Sequence, residues 1–176
     1  MKPFSNNLIF FDTEFTSVDP YKGEIISIGL VKMNGEELYL EVEPKGEMSA
    51  WVKDNVVPLL DQKKVTREEA ARQIVAFAGE DAPYLISYVI EFDAPFFYKL
   101  LDVSDAKTNK SLPYNWIILD FASVLFTMGL SPDTISSAKK APYLKTLGID
   151  LEKYRNHHAL DDAKLLREIY LKLISN

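Results

Sequence analysis

The stretch NLIFFDTEFT, residues 7–16, constrains the fold more than any other. Successive side chains of a strand point to opposite faces. Leu8 and Phe10 share one face and Ile9 and Phe11 the other, so both faces are apolar, which suits a buried central strand. The run then meets Asp12 and Glu14, which leave the face of Leu8 and Phe10 about 7 Å apart along the strand. Burying ionised carboxylates without a partner is costly, and a bound divalent cation removes that cost. The plainer alternative is a strand that emerges into solvent at Asp12.

The rest of the chain supplies layers for such a strand. EIISIGLVKM and ELYLEVE flank Asn34-Gly35, a hairpin signal in which both turn residues are expected at positive φ, so the chain opens as an antiparallel meander. WVKDNVVPLL reads as a short helix or loop. Thr66 with Glu69 three positions on forms a capping box before a helix. PYLISYVI is a buried strand, FDAPFFYKLLD a helix whose start tolerates Pro95, SDAKTNKSLP a loop, NWIILDF a strand and ASVLFTMG a short helix. A loop and a short helix ending at Gly148 follow, and ALDDAKLLREIYLKLI closes the chain as an amphipathic helix. Strands in a meander, then strands alternating with helices, give an α/β fold with a mixed sheet. At 176 residues, 47% of them hydrophobic, one domain over residues 1–176 is expected.

Charge and composition exclude several function classes. There is no cysteine, which removes disulfides and thiolate metal sites. The apolar run near the N-terminus is short, is interrupted by Asp12 and Glu14, and is followed by no small-residue cleavage site, so a cytosolic protein is expected. No apolar segment approaches the roughly 18 residues of a membrane span. A net charge of −6 argues against broad electrostatic adhesion to nucleic acid, so a polyanionic substrate needs metal ions or a local basic patch.

Two further places carry acids beside apolar runs. Asp93, in YVIEFDAPFF, sits at a strand-to-helix junction, where an aspartate also serves as a helix cap, and Glu91 competes with it for any other role. HHALDDA, residues 157–163, holds both histidines of the chain. At about 100° per residue, the apolar stripe of the last helix runs through Ala159, Ala163, Leu166, Ile169, Tyr170 and Leu173. Asp162 falls on that stripe. Asp161 aligns with Leu165, Glu168 and Lys172 on the flank and is expected to be solvated or to serve the helix dipole. A histidine beside several acids is a candidate base for activating water, with a metal ligand or a surface imidazole as the alternatives. These considerations do not separate His157 from His158.

Four acids and a histidine without thiols point to hard cations, Mg²⁺ or Mn²⁺ rather than Zn²⁺. Two such ions are the usual device for in-line displacement at phosphorus, so phosphodiester hydrolysis is the chemistry expected.

FDTEF with Asp12 and Glu14, then Phe92-Asp93, then H-x-A-x-x-D-A in HHALDDA, in that order, resemble the motifs of the DEDDh 3′-to-5′ exonucleases. This DnaQ-like group includes polymerase proofreading subunits and ribonuclease T. The resemblance implies a ribonuclease-H-like mixed sheet, an antiparallel meander followed by parallel strands with helices on both faces. It implies Asp12, Glu14, Asp93 and Asp162 as ligands of two Mg²⁺ or Mn²⁺ ions, with Asp12 as the bridge, and His157 as general base. His158 and Asp161 fill variable positions. Many members read HN-x-x-FD at the second motif where this chain has Tyr88-Val89, which removes a polar pair that helps hold the strand. A finer similarity to small stand-alone bacterial and phage exoribonucleases favours single-stranded RNA 3′ ends over DNA and suggests a homodimer.

Phe15 is a candidate for stacking on a terminal base, with core packing as its alternative. Lys139-Lys140 and Lys153 with Arg155 are local positive charge, phosphate contacts or solvated faces. Rival readings are another ribonuclease-H-like nuclease, which does not require H-x-A-x-x-D, and a non-catalytic nucleic-acid-binding domain, which is not expected to retain all five polar residues.

Overall fold

The computed structural model describes residues 3–102, 112–136 and 140–174. Strand β1 (Leu8–Phe15) lies in the middle of a five-stranded sheet, between β2 (Ile25–Lys32) and β4 (Tyr84–Ser87). Beyond them β3 (Glu37–Glu41) and β5 (Leu119–Asp120) form the edges, in the order β3-β2-β1-β4-β5. The first three strands are antiparallel neighbours, and β4 and β5 run parallel to β1.

The two apolar faces of β1 meet two separate cores, as its sequence requires. Phe10 packs with Leu166, Ile169 and Tyr170 of α7 (Ala159–Ile174), and with Leu144 of α6 (Lys140–Thr146). Ile9 and Phe11 pack on the other side with Ile74 of α2 (Arg67–Ala78) and Phe97 of α3 (Ile90–Leu101). Each such side chain contributes about 1.5–3 kcal/mol by leaving water, so neither layer is dispensable. The other α-helices among the described residues are α1 (Ala50–Asn55), α4 (Phe121–Thr127) and α5 (Asp133–Ser136).

Helix α7 approaches the sheet closely because of a missing side chain. A β-carbon on Gly29 of β2 would lie 2.3 Å from Leu160 Cα and 2.4 Å from Ala159 O. Glycine therefore admits the N-terminal turn of α7 directly over the strand. Gly29 pairs with Asp12, so that turn arrives opposite the first acid.

Several expectations need correction. Gly35 has φ +93° but Asn34 is not at positive φ; the Gly35 N–H closes a turn on Lys32 O at 2.9 Å, and Asn34 Oδ1 accepts the Glu36 N–H at 3.0 Å. The turn is thus of the three-residue kind with one left-handed glycine. Strand β4 stops at Ser87 and α3 begins at Ile90, two residues before the expected FDAPFFYKLLD, where Asp120 Oδ1 from β5 accepts the Ile90 N–H at 3.3 Å. Strand β5 is two residues long, and the region before Gly148 contains two short helices, α5 and α6. Most of the loop expected at 104–113 lies outside the described residues, as does Lys139.

Candidate active site

The acids of β1 stand where the strand changes course. Glu14 pairs with Ser27 and Phe15 with Ile25, so Ile26 is the extra residue of a bulge, a device that re-aims side chains at the end of a strand. Ile26 is thereby released into its own cluster with Val52 and Val56, which seats α1. Ser49 caps that helix by accepting the Val52 N–H at 3.2 Å. The result places the Trp51 ring perpendicular to that of His157, 4.9 Å between centroids.

Carboxylate oxygens of Asp12, Glu14 and Asp162 all lie within 4.8 Å of one another. Asp93 reaches the same cleft from the opposite layer of the sheet, with Oδ1 held by the Thr13 N–H at 2.9 Å and the Thr13 hydroxyl at 2.7 Å. It stands in the first turn of α3, whose cap is Val89, so it is not the helix cap. Glu91 is exposed and does not line the cleft. The cleft has a volume of about 350 Å³ and is also lined by Phe15, Tyr88, Phe92, Lys140, Asn156 and His157.

Crowded carboxylates resist ionisation. Burial, then the charges of Asp93, Asp162 and Glu14, push Asp12 well above the usual carboxylate range, while Lys140 pulls it back. Burial, then the charges of Asp162 and Asp93, raise Glu14 to about 8. Burial raises Asp93 to about 7 against the bonds from Thr13, and Asp162 to about 6 against Lys140 and the backbone N–H groups it accepts. Four acids in this state form an all-oxygen pocket suited to a hard divalent cation.

The doubled residues of HHALDDA part company here. The His157 backbone donates to Asp162 Oδ2 at 2.9 Å, and His157 takes a left-handed φ of +63° that brings its ring to the cleft. Burial and Lys140 lower its pKa, which keeps the imidazole neutral. His158 turns away and is 2% exposed, its ring 4.5 Å from that of Tyr39. Asp161 is not solvated, at 8% exposed, and accepts Arg155 Nε at 2.7 Å, while standing in the first turn of α7 where the helix dipole favours an acid. The buried arc of α7 is wider than one stripe, since Leu165 on the same flank is also buried and residues 155–158 fold over the first turn.

The profile of the RNase_T exonuclease family matches residues 9–170. The chain belongs to that family. It is a DnaQ-like 3′-to-5′ exonuclease domain of the ribonuclease-H-like superfamily. It is 26% identical over 180 residues to the PolC-type DNA polymerase III of Thermotoga maritima, covering 94% of this chain and 12% of the polymerase. To the oligoribonuclease of Photobacterium profundum it is 28% identical over 141 residues, 62% of this chain and 76% of the relative. Exonuclease I from Methylocaldum szegediense shares the fold with a TM-score of 0.63 at 16% identity, over 94% of this chain and 40% of that one. The zinc-bound form of the E. coli ExoI–ssDNA complex does so with a TM-score of 0.53 at 13% identity, over 94% of this chain and 39% of that one. The chain thus spans well under half of the polymerase and of both Exonuclease I chains.

Within this exonuclease fold, some features of the cleft were not legible in the sequence. Phe92 lines it, Trp51, 51% exposed, stands against the ring of His157, and no periodicity marks either residue. Lys140 Nζ lies 4.0 Å from Asp162 Oδ1. Phe15 lines the cleft but stacks on Phe96, centroids 4.2 Å apart, so one ring face is already occupied. Arg155 is engaged by Asp61 and Asp161. Tyr88, in place of the polar pair, donates its hydroxyl to the Pro132 carbonyl and so ties the chain ahead of α5 to the rim. Among the described residues, no helix is long and apolar enough to cross a membrane.

Proposed function

We propose that the protein removes nucleotides from the 3′ end of single-stranded nucleic acid by metal-dependent hydrolysis, preferring RNA and releasing nucleoside 5′-monophosphates. The observation that carries this reading is the convergence of Asp12, Glu14 and Asp162 oxygens within 4.8 Å, with Asp93 and His157 on the same cleft. The donors are all carboxylates, and their mutual repulsion is what a divalent cation relieves. Two bound ions, Mg²⁺ or Mn²⁺, would supply charge neutralisation and acidify the attacking water. Asp12, Glu14, Asp93 and Asp162 would hold them.

The remaining work falls to other side chains. The cleft is at the small end of the about 300–1,000 Å³ range of ligand sites, which favours a single terminal nucleotide over a duplex. Trp51 and Phe92 present exposed rings on which bases can stack, each such contact contributing about 1–3 kcal/mol. Lys140 offers positive charge to the phosphate. Neutral His157 accepts the proton of the water whose oxygen attacks phosphorus. The bond from phosphorus to the 3′ oxygen breaks, that oxygen takes a proton from solvent, and the shortened strand leaves with a 3′-hydroxyl.

RNA is favoured by the similarity to an oligoribonuclease over 62% of this chain. A DNA-directed exonuclease is the second reading, favoured by the likeness to the ExoI–ssDNA complex and to PolC-type polymerases. The test uses 5′-labelled single-stranded RNA and DNA of equal sequence with Mg²⁺ or Mn²⁺. A ladder that shortens from the 3′ end, faster on RNA, is the expected outcome. Internal cuts only, or full activity in Asp12→Ala, would reject the exonuclease reading, and a faster ladder on DNA would select the second.

A further inference from the structure

We propose that Arg155 is a positioning residue for the His157 imidazole. The inference rests on the reading of His157 as general base. No hydrogen bond orients the His157 ring among the described residues; its ring contact is the perpendicular ring of Trp51. Its aim at the carboxylates is therefore set by its backbone. That backbone is left-handed, a conformation that persists in a non-glycine residue only when its surroundings hold it.

Arg155 is central to those surroundings. Its backbone N–H and its Nε both donate to Asp161 Oδ2, at 3.1 and 2.7 Å, which fixes the segment to the first turn of α7. Its Nη1 donates to Asp61 Oδ2 at 3.1 Å, and its Nη2 lies 3.3 Å from His158 Nδ1. The turn carrying Asp61 is itself anchored, because Glu41 of β3, 1% exposed, accepts the Asp61 and Gln62 N–H groups at 2.6 and 2.8 Å. One guanidinium thus spans the 61–62 turn, α7 and the imidazole next to His157, using the fixed fork that lysine lacks. Asp161 and Asp162 divide the task, one holding residue 155 and the other residue 157. Neither Asp61 nor Asp161 lines the cleft, so this apparatus touches no reacting group and acts through the segment it holds.

The experiment compares Arg155→Ala, Arg155→Lys, Asp61→Ala and His157→Asn, with a double variant of Arg155→Ala and His157→Asn. Steady-state rates on a 3′-terminal dinucleotide are read well below each variant's melting temperature, alongside the NMR signals of the His157 ring without metal. Arg155→Ala should lower kcat about ten- to a hundredfold with KM within about twofold, as a displacement of about 1 Å does. Arg155→Lys should recover part of the loss, Asp61→Ala should show a smaller loss in kcat, and the His157 signals should shift or broaden in each. In the His157→Asn background the arginine substitution should be silent. A normal kcat in Arg155→Ala with an inactive His157→Asn overturns the inference and spares the proposed function. Equal losses in both backgrounds also overturn it, because the arginine would then act elsewhere. An active His157→Asn overturns the function reading itself. Should Arg155→Ala not fold, the exposed Asp61→Ala decides: an unchanged kcat with unchanged His157 signals overturns the inference.

Discussion

Asp162 accepts the His157 backbone N–H at 2.9 Å while its other carboxylate oxygen lies 4.0 Å from Lys140 Nζ. One side chain thus joins the acid cluster, the loop bearing the imidazole and the cation of the cleft. His157→Asn is expected to lower kcat by about 10²–10⁴ with little change in melting temperature, since the ring makes no buried polar bond. Thermal melts paired with the exonuclease assay check this. His158→Ala and Asp161→Ala, by contrast, should lower the melting temperature, because both residues are buried and bonded.

The metal-free cluster should make stability fall as pH rises. Glu14, Asp93 and Asp162 have folded-state pKa values raised to about 8, 7 and 6, so the folded chain holds their protons more tightly than the unfolded chain. Their stabilising effect is complete below about pH 4, where both states are protonated, and is lost as pH climbs through about 6–8. Calorimetry in EDTA should show a higher melting temperature at pH 5 than at pH 8. Excess Mn²⁺ at pH 8 should restore the difference by binding the folded state.

Asp12→Asn should stabilise and inactivate at once. Asp12 is raised by burial and by three like charges, so the neutral amide removes repulsion while deleting a ligand. An increased melting temperature in EDTA at pH 8, a loss of the Mn²⁺-induced increase, and no cleavage are expected. An unchanged response to Mn²⁺ would show that the ion binds elsewhere.

Lys140→Gln should separate phosphate from metal. Lys140 opposes cation binding by charge and, in the proposed role, attracts substrate, so its loss should leave divalent-ion affinity equal or tighter while raising KM about tenfold, the worth of one charged hydrogen bond. Titration calorimetry and steady-state kinetics measure the two separately. Weaker ion binding would contradict this placement.

Gly29→Ala tests the fit of α7 on the sheet. The added β-carbon would meet Leu160 Cα at 2.3 Å, backbone that cannot swing aside. Overpacking of this kind costs about 1–3 kcal/mol, a lowering of the melting temperature by roughly 2–10 °C. Activity should fall more than stability, because the displaced turn carries Asp162.

The parts legible in sequence were those fixed by local period. Strand β1 declares itself by apolar residues on both faces, and α7 runs over the predicted residues because its stripe and Asp162 follow one helical repeat. What escaped depends on distant partners. The first turn of α3 is tied to Asp120, thirty positions on. The place of Trp51 depends on the bulge at Ile26, and the burial of Asp161 on a folded-over loop whose anchor is Glu41.

Asp93 and Asp162 come from helices on opposite sides of the sheet, each belonging to a different core. A cation gripped by both would act as a rivet through the sheet, mechanically joining two layers that the sheet otherwise keeps apart. Opening either layer would then release the ion. Amide exchange in α3 and in α7, independent without metal, should become a single cooperative event when the rivet is in place.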